Sequence, residues 1–527
     1  MSVPAAGRSR VRRLQRRARQ YLDSGHLDAA QAALESLTQY LPEDASVRME
    51  LADVLLARGH MQAGVRQLQA AAPHLPNDPL AIARLAHGLF VHGDTLGARR
   101  CFTHPEVART QSGQGLVSLA RARSLLDEPP ATLALLERAL AAGVDTPDEH
   151  FSTALQLQAV GRLDAAATTL ETCIRRWPEF GGAAMTLMRL HRQVDARHLD
   201  YLQRQIRRIP ADNIVHAEFQ FALYKLLTDL EQHEHAWDAL ARGNAIMHKL
   251  LPYDGDAEAA VMAATVRRQV ADGPAHPPAS PENPQPIFVV GLPRSGTTLL
   301  ERMLSNHSQV ATAGELSDLP RQLRRITGVP GLGLNDFRPV VERCGGIDAA
   351  ALGRRYLEQT RWRAAGKRYY IDKLPNNYLF VDLIHSALPQ APILLMQRAA
   401  MDVCFSNFKA MFGMVSAYSY ALPTLAHFHG LYRRLIAHWH ERLPEVMLTV
   451  DYADLVRTPE AVLQRVLTRC GLTLEPACLT PGNNPAPVST PSSAQVREPV
   501  HTRGLGEWKR HARHLQPLRD ALDTDGP

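Results

Sequence analysis

The N-terminal half of the chain repeats with a period of 34 residues, and this period limits the folds that it can adopt. Glycine recurs on one 34-residue lattice, with a small residue five positions later and a bulky apolar residue nine positions later: Gly25, Gly59, Gly93 and Gly161; Ala30, Gly64, Ala98 and Ala166; Leu34, Leu68, Phe102 and Leu170. Proline follows the glycine lattice by 17 residues, at Pro42, Pro76 and Pro178. Small residues let paired helices approach, and a proline ends the second helix of each pair. We therefore predict about seven helical pairs between residues 10 and 255, stacked into a superhelix with a concave surface.

Composition excludes several classes of protein. A chain of 527 residues with 45% hydrophobic and 21% charged residues is typical of globular proteins with two or more domains. The net charge of +6 suits an anionic ligand, but the basic residues are dispersed, so we predict no nucleic-acid partner. The exception is an N-terminal cluster that we interpret as the solvated face of a first helix: Arg8, Arg10, Arg12, Arg13, Arg16, Arg17 and Arg19.

Cysteine usage and hydropathy bear on the compartment. The six cysteines form no CxxC pair, which fits a reducing environment. No run approaches the ~18 consecutive apolar residues of a membrane span. We therefore predict a cytoplasmic protein without a membrane span. The histidines of residues 422–443 lack acidic or cysteine partners at ligand spacing, so no metal site is predicted.

A proline-rich stretch divides the chain. Residues 273–286 contain six prolines, a density that blocks helices and sheet ladders, so we predict a stiff, extended linker. The predicted domains are a helical-repeat domain over 1–272, this linker over 273–286, and a second domain over 287–527.

The second domain opens with a strand, a glycine loop and a helix. Ile287–Val290 is a short apolar run typical of a buried parallel strand, and Thr297–Ser305 continues as an amphipathic helix. The loop Gly291–Gly296 between them would place backbone N–H groups at a helix N-terminus, where a phosphate binds favourably. Thr297 stands where a P-loop NTPase carries lysine, which disfavours ATP chemistry, whereas Arg294 supplies a positive charge from within the loop.

These residues carry a resemblance to a known family. Gly291-Leu-Pro-Arg-Ser-Gly-Thr-Thr298 resembles the 5′-phosphosulfate loop of sulfotransferases, which use 3′-phosphoadenosine-5′-phosphosulfate (PAPS). The match is to the protein-tyrosine sulfotransferase-like branch, in bacterial forms that carry N-terminal tetratricopeptide repeats (TPR). It covers roughly residues 286 to 515, and the repeats cover most of what precedes. The resemblance implies that the loop residues Arg294, Ser295, Gly296, Thr297 and Thr298 hold the donor, with Arg294 also acting in catalysis.

The resemblance also implies the catalytic residues. Glu315 follows Arg294 by 21 residues, the family's distance to its general base, which takes the proton of the acceptor hydroxyl. His307 is a rival base, because cytosolic small-molecule sulfotransferases use histidine, but we interpret it as structural. Lys373 ends a strand in Tyr369-Tyr-Ile-Asp-Lys373 and would stabilise charge on the leaving oxygen.

Further positions resemble the family's nucleotide site. Arg398 and Ser406, eight residues apart, match its 3′-phosphate site, and Tyr452 matches a residue that lines the nucleotide pocket. The segment Ser492–His501, with Gln495 and Val496, resembles the loop that closes over PAPS. Trp508 matches the tryptophan after this loop. Glu507 replaces a usual basic residue just before it, which leaves Arg503, Lys509 and Arg510 open as the cation there.

The predicted fold is an all-α TPR superhelix followed by an α/β, P-loop-like sulfotransferase domain with a central parallel sheet. The predicted function is PAPS-dependent sulfuryl transfer without a metal, onto a peptide, protein or glycan bound on the concave face of the repeats. Protein tyrosine, a glycan and a small metabolite all stay open as acceptors, and so does the oligomeric state. The alternatives are a P-loop kinase, and a TPR scaffold whose transferase domain is inactive.

Overall fold

The computed structural model describes residues 5–190, 196–270, 280, 282–329, 337–490, 493 and 495–524. Most of the predicted linker (273–279 and 281) and two residues of the predicted closing segment, Ser492 and Ala494, lie outside the described residues. The helices before the first strand are α1 (Ala5–Asp23), α2 (Leu27–Tyr40), α3 (Ala45–Ala57), α4 (Met61–Ala71), α5 (Pro79–Val91), α6 (Thr95–Cys101), α7 (Pro105–Arg109), α8 (Gly113–Ser124), α9 (Pro129–Ala141), α10 (Pro147–Ala159), α11 (Leu163–Arg176), α12 (Gly181–Leu190), α13 (Ala196–Arg208), α14 (Ile214–Asp229), α15 (His233–Leu250) and α16 (Gly255–Arg267).

The helical repeat follows the 34-residue lattice. Each lattice glycine lies in the turn between two helices with a positive φ of 74° to 84°, a conformation that glycine adopts without strain: Gly25, Gly59, Gly93 and Gly161. The small lattice residues are buried, and a Cβ on Gly64 would lie 2.6 Å from Leu56. The lattice prolines follow the ends of the second helices, as in Pro42 after α2 and Pro178 after α11. The predicted helical pairs are confirmed.

The second half contains a five-stranded sheet. Its strands are β1 (Gln285–Gly291), β2 (Val310–Thr312), β3 (Tyr369–Asp372), β4 (Ile393–Gln397) and β5 (Met447–Asp451). Their order is β2-β3-β1-β4-β5, and every pairing is parallel. The central strand β1 is buried throughout, as its continuous apolar sequence requires. This confirms the predicted fold class of helical repeats followed by an α/β domain on a central parallel sheet.

The remaining helices of the described residues lie between these strands or after them along the chain. The helices are α17 (Thr297–Ser305), α18 (Asp318–Thr327), α19 (Arg338–Arg343), α20 (Ala349–Thr360), α21 (Val381–Ala387), α22 (Ala400–Phe408), α23 (Leu422–Arg442), α24 (Tyr452–Arg457), α25 (Pro459–Arg469) and α26 (Gln516–Thr524). The carboxyl end of β1 leads into the glycine loop before α17. The carboxyl end of β3 leads to Lys373, and that of β4 leads to α22. Ligands of open α/β sheets bind at this edge.

The described chain divides into two compact units. The first unit comprises Met1–Val144, Ser317–Ile347 and Arg354–Thr360. In it, the helical pairs pack against the segment that begins at α18. Thr95 Oγ1 donates to Asp318 at 2.6 Å, Gln322 Nε2 donates to the Gly93 carbonyl at 2.8 Å, and Arg321 lies 3.5 Å from the centre of the Phe90 ring. Residues of the sequence after β2 thus complete the core of the N-terminal repeats.

The second unit comprises Asp145–Leu316, Asp348–Gly353 and Arg361–Pro527, so it contains helices α10–α16 as well as the sheet. Trp237 on α15 stacks on Phe408 at the end of α22, with ring centroids 5.7 Å apart, and on His514 at 4.7 Å. Asn244 Nδ2 donates to the Phe408 carbonyl at 3.1 Å. The later helical pairs are therefore built into the same core as the strands.

An ion pair adds to this core. Arg268, just after α16, binds Asp382 on α21 through two nitrogens, and its Nη2 also donates to the Leu379 carbonyl at 2.7 Å. The two side chains are 1% and 4% exposed. Burial of both charges is tolerated because each finds its partner and further hydrogen bonds.

Replacing Asp382 by Asn is expected to lower the free energy of unfolding by about 3–5 kcal/mol, because the Arg268 charge then stays buried without its carboxylate. Urea unfolding followed by circular dichroism measures this loss. The matched control is Glu179→Gln, which breaks the exposed Arg208–Glu179 pair (62% and 63% exposed) and is expected to cost less than about 1 kcal/mol. Equal losses in the two variants would contradict the assignment of Arg268–Asp382 to the core.

Candidate active site

The loop between β1 and α17 requires its glycines. Gly291 and Gly296 have φ of 147° and 111°. A Cβ on Gly291 would lie 2.5 Å from the Met396 carbonyl oxygen, and one on Gly296 would lie 2.5 Å from the Tyr452 ring. Between them Arg294 has a left-handed φ of 68°, which is uncommon for a residue with a side chain. Such a conformation is often kept at functional sites.

The loop ends at the N-terminus of α17, where Thr297 and Thr298 are 4% and 7% exposed. Gly296 caps this helix and offers no side-chain acceptor, so the first backbone N–H groups receive no side-chain cap. A cavity opens at this end of the helix. Its lining residues are Arg294, Gly296, Thr297, Thr298, Leu299, Arg398, Tyr452, Gln495, Val496, Glu498, Pro499, Val500 and His501. N–H groups at a helix N-terminus without a side-chain cap, together with two arginines, are chemically able to bind an anion.

The cavity brings together all the sequence-predicted nucleotide-binding residues except two. Ser295 lies in the loop itself, 1% exposed, and its Oγ has no hydrogen-bond partner among the described residues. Ser406 on α22 is 4% exposed, and its Oγ lies 3.4 Å from Arg294 Nε. Ser406 thus contacts a cavity residue without lining the cavity.

Two arginines share this edge of the sheet. Arg398 Nη1 donates to the Arg294 carbonyl at 3.0 Å, and its Nη2 donates to the Gly504 carbonyl. The Arg398 guanidinium lies 4.5 Å from the centre of the Tyr452 ring, which favours a cation over its face. Burial and the neighbouring charge of Arg398 lower the pKa of Arg294. An anion between these cations would relieve that repulsion.

A third cation near this site was missed by sequence reasoning. Lys409 follows Ser406 by three residues, and its Nζ donates to both carboxylate oxygens of Glu507. Burial lowers the pKa of Lys409, and the charges of Arg294 and Arg398 lower it further. Burial alone would raise the pKa of Glu507, but the charge of Lys409 holds it below its usual range. Glu507, which replaces a usual basic residue, therefore stands beside a lysine from another helix. No short-range pattern marks Lys409, because its partner Glu507 is 98 residues away in the chain.

The two remaining predicted catalytic residues meet outside the cavity lining. Lys373 Nζ lies 2.5 Å from Glu315 Oε1, with the lysine side chain fully buried and the glutamate 46% exposed. Glu301 on α17 also contacts this ammonium, with its Oε2 3.9 Å from Lys373 Nζ. Its Oε1 accepts a hydrogen bond from Thr312 Oγ1 at 2.5 Å. The sequence carried no signal for Glu301, because a carboxylate on an amphipathic helix is usually a solvated residue.

His307 lies apart from this pair. Its side chain is buried, with Nε2 3.0 Å from the Thr473 carbonyl, while Nδ1 accepts from the Gln309 backbone N–H at 3.0 Å. Both ring nitrogens are therefore engaged by the backbone, which fits a structural residue. Across the residues that the structure describes, no three His, Cys, Asp or Glu side chains are grouped to hold a metal. None of the described helices has the combined length and hydropathy needed to cross a lipid bilayer.

Comparisons with known proteins show which families and folds the chain resembles. Residues 286–476 match the profile of a sulfotransferase family, and residues 21–86 match the tetratricopeptide repeat. An uncharacterized protein of Aquifex aeolicus is 28% identical over 314 residues, which are 57% of this chain and 41% of that protein. Protein-tyrosine sulfotransferase 2 of Gallus gallus is 26% identical over 272 residues, 45% of this chain and 69% of that enzyme. Among solved structures, the sulfotransferase domain of the Synechococcus PCC 7002 olefin synthase is 21% identical, covering 49% of this chain and 98% of that domain, with a TM-score of 0.34.

Proposed function

We propose that the sulfotransferase domain over residues 286–476, with the segments that complete its cavity, transfers the sulfuryl group of PAPS to an acceptor hydroxyl. One observation carries the proposal most directly. The cavity at the N-terminus of α17 is lined by Arg294, Arg398 and the hydroxyls of Thr297 and Thr298. This combination of N–H groups, hydroxyls and fixed charges suits a donor with several anionic groups.

The residues present fit such a donor. Ser295 is a buried hydroxyl without a partner in the described chain, and the buried Nε of Arg398 likewise has no hydrogen-bond partner there. Buried polar atoms of this kind usually have a partner, so each is a donor available to a ligand. The bound donor would supply an activated sulfuryl group on a phosphate leaving group. In this proposal Arg294, Thr297 and Thr298 hold the sulfate end, and Tyr452, Gln495 and Val496 line the nucleotide.

The charged pair outside the cavity suits the acceptor. Glu315 would take the proton of the acceptor hydroxyl, and Lys373 would stabilise the oxygen that is released. Their contact at 2.5 Å brings base and cation to one point. Glu301 Oε2 lies 3.9 Å from the same ammonium, so Lys373 keeps a neighbouring carboxylate even when Glu315 carries a proton. Lys373 and Glu315 would thus act as a positioned pair.

Two observations favour this function over its alternatives. A P-loop kinase needs a lysine at the position of Thr297 to handle the γ-phosphate, and this chain places its cations at Arg294 and Arg398 instead. An inactive scaffold has no need to keep Glu315 and Lys373 in contact at a half-exposed site. Ser406 on α22 is 4% exposed, and Lys409, which directly follows this helix, is 17% exposed; both suit a donor with a terminal 3′-phosphate.

The acceptor and the role of the repeats belong to the same proposal. The chicken relative is named for protein tyrosine, so a tyrosine hydroxyl is one acceptor class, beside a glycan or a small metabolite. We propose that the tetratricopeptide repeats select this acceptor, since such arrays present surfaces for extended peptides or partners. Mass spectrometry of a lysate treated with PAPS and purified protein should reveal a sulfonate addition to the acceptor.

Replacing Arg398 by Ala is expected to abolish most of the preference for 3′-phosphoadenosine 5′-phosphate (PAP) over AMP. The reason is that a lost charge-assisted contact to a desolvated phosphate costs a few kcal/mol, or about 10²-fold in affinity. Calorimetric titration of both nucleotides measures the preference as a ratio, so general damage to the pocket cancels.

The control is Arg457→Ala, an exposed arginine at the end of α24, which should keep the wild-type ratio. A wild-type protein that binds PAP and AMP equally would remove the basis for PAPS as the donor. An Arg398→Ala variant with the full preference would show that the 3′-phosphate binds elsewhere.

A further inference from the structure

The turn between helices α10 and α11 touches the segment that lines the donor cavity. This turn carries Gly161 of the 34-residue lattice. The carbonyl of Ala159 accepts two hydrogen bonds from the far end of the chain: from the Val488 backbone N–H at 2.9 Å and from Arg497 Nη2 at 2.8 Å. Gln158 Nε2 donates to Ser493 Oγ at 2.6 Å. In the contact between Ala159 and Arg497, the two residues are 338 positions apart in the chain.

Gly161 makes this contact possible. Its φ is +84°, and a Cβ added to it would lie 2.7 Å from Arg497 Nη1 and 2.9 Å from Cζ. The guanidinium therefore lies against the turn in the space that a side chain at this position would occupy. The equivalent lattice glycine Gly59 has a nearly equal φ of +80°, and a Cβ there would meet no described atom within 4 Å. The two glycines share one backbone conformation but differ in what they touch.

Arg497 points away from the donor cavity, whereas its neighbours point into it. Gln495, Val496 and Glu498 line the cavity, and Val496 is only 6% exposed. Burial lowers the pKa of Arg497, as expected for a guanidinium enclosed between two elements. The Arg497 side chain thus holds the segment on the side away from the cavity, while Val496 and Glu498 line the cavity.

The same segment has a second anchor on α17. Arg302 Nη1 donates to the Ala486 carbonyl at 2.6 Å, and its Nη2 donates to the Asn484 carbonyl. The stretch before the cavity wall is therefore held by the helix that follows the glycine loop, and the wall itself is held at Arg497 by a helical repeat. After the wall, the Gly504 carbonyl accepts from Arg398, so loss of the repeat anchor frees the wall between these two flanking contacts.

We propose that the turn Gln158–Gly161 holds the cavity wall, residues 495–501, in its ligand-binding position. In this proposal Arg497 is the positioning residue through which a helical repeat retains the donor nucleotide. The inference rests on the proposed PAPS site and adds to it a part of the chain outside the sulfotransferase domain. A wall held in its bound position costs less ordering when the nucleotide binds, so the anchor raises affinity without touching the ligand. The effect falls on the dissociation rate more than on the association rate.

The test compares Gly161→Ala with Gly59→Ala in the full chain. Both place a Cβ at a positive φ, so both are expected to lower the melting temperature by similar amounts. In Gly161→Ala the flexible guanidinium of Arg497 can move aside at low cost, but it then leaves the Ala159 carbonyl. We expect Gly161→Ala and Arg497→Gln to raise the Kd for PAP about tenfold, with faster dissociation, because each loses about one hydrogen bond of anchoring. We expect Gly59→Ala to bind PAP as the wild type does.

The outcomes separate this inference from the function on which it rests. A wild-type protein that fails to bind PAP overturns both. If the wild-type protein binds PAP but Gly161→Ala and Gly59→Ala have equal Kd and dissociation rates, only the proposed anchoring by the turn Gln158–Gly161 is overturned. Once an acceptor is identified, the kinetics of Gly161→Ala and Arg497→Gln test the positioning role. A raised KM for PAPS at unchanged kcat supports this role, and a lowered kcat at unchanged KM overturns it.

Discussion

A Glu315→Gln variant is expected to bind PAP as the wild type does and to lose turnover by about 10²-fold or more, because an amide cannot accept the acceptor's proton. The change is nearly isosteric at a side chain that is 46% exposed, so little packing is lost. Lys373 keeps the carboxylate of Glu301 at 3.9 Å, which limits the electrostatic cost of removing Glu315. Initial rates at saturating PAPS, with PAP affinity measured by calorimetry, check both halves of the expectation.

The matched control replaces a glutamate of comparable exposure that lies outside the candidate site. Glu179→Gln removes an exposed carboxylate from the second unit and should leave the rate unchanged. A Glu315→Gln variant that turns over at the wild-type rate would exclude Glu315 as the base. Glu301 would then be the next candidate, ahead of His307, because it contacts the same ammonium, whereas both nitrogens of His307 are engaged by the backbone.

A chain that begins at Ala279 is expected not to fold into a cooperative structure. Such a chain lacks helices α10–α16, which belong to the same compact unit as the sheet. Removing them strips Trp237 from Phe408 and His514, and it leaves Asp382 buried without Arg268. The lost aromatic burial and the unpaired charge each cost about 3–5 kcal/mol, which together approach the whole stability of a typical domain. Near-ultraviolet circular dichroism and the cooperativity of urea unfolding measure the outcome.

The control is a chain that begins at Asp44 and lacks only α1 and α2. Repeats contact mainly their neighbours, so the loss of one terminal pair should lower the melting temperature modestly and leave PAP binding intact. A folded, PAP-binding chain from Ala279 would contradict the expectation and would make the helical pairs α10–α16 dispensable. If the expectation holds, acceptor selection by the repeats must be tested with point variants on their surface.

Much of the candidate site could be predicted because its signals are local. The loop Gly291–Gly296 joins a buried strand to a helix, and its conformation depends on glycine φ values and on a helix N-terminus, both written in adjacent residues. The eight-residue spacing of Arg398 and Ser406 likewise spans one strand end and one helix. Resemblance to a known motif then assigned these residues to a nucleotide, and the cavity lining contains most of them.

The residues that were missed are those whose partners are distant in the chain. Glu301 reaches Lys373 because α17 packs beside β3, and Lys409 meets Glu507 across 98 residues. Neither contact has a periodic or spacing signature, since both depend on how separate elements pack. The predicted boundaries 1–272, 273–286 and 287–527 follow composition, whereas the packing groups the helices after residue 144 and before β1 with the sheet.

The sequence by itself determined the helical repeat, through a 34-residue lattice of glycines that all adopt a positive φ, and it determined the strand, loop and helix that open the second domain. These features follow from backbone conformation and hydrophobic period, which act over a few residues. Only the tertiary structure decided that Glu315 meets Lys373, that Asp382 pairs with Arg268, and that Arg497 lies against Gly161. The physical reason is that a buried charge takes whichever partner the packing of distant elements brings within reach, and no short-range pattern encodes that choice.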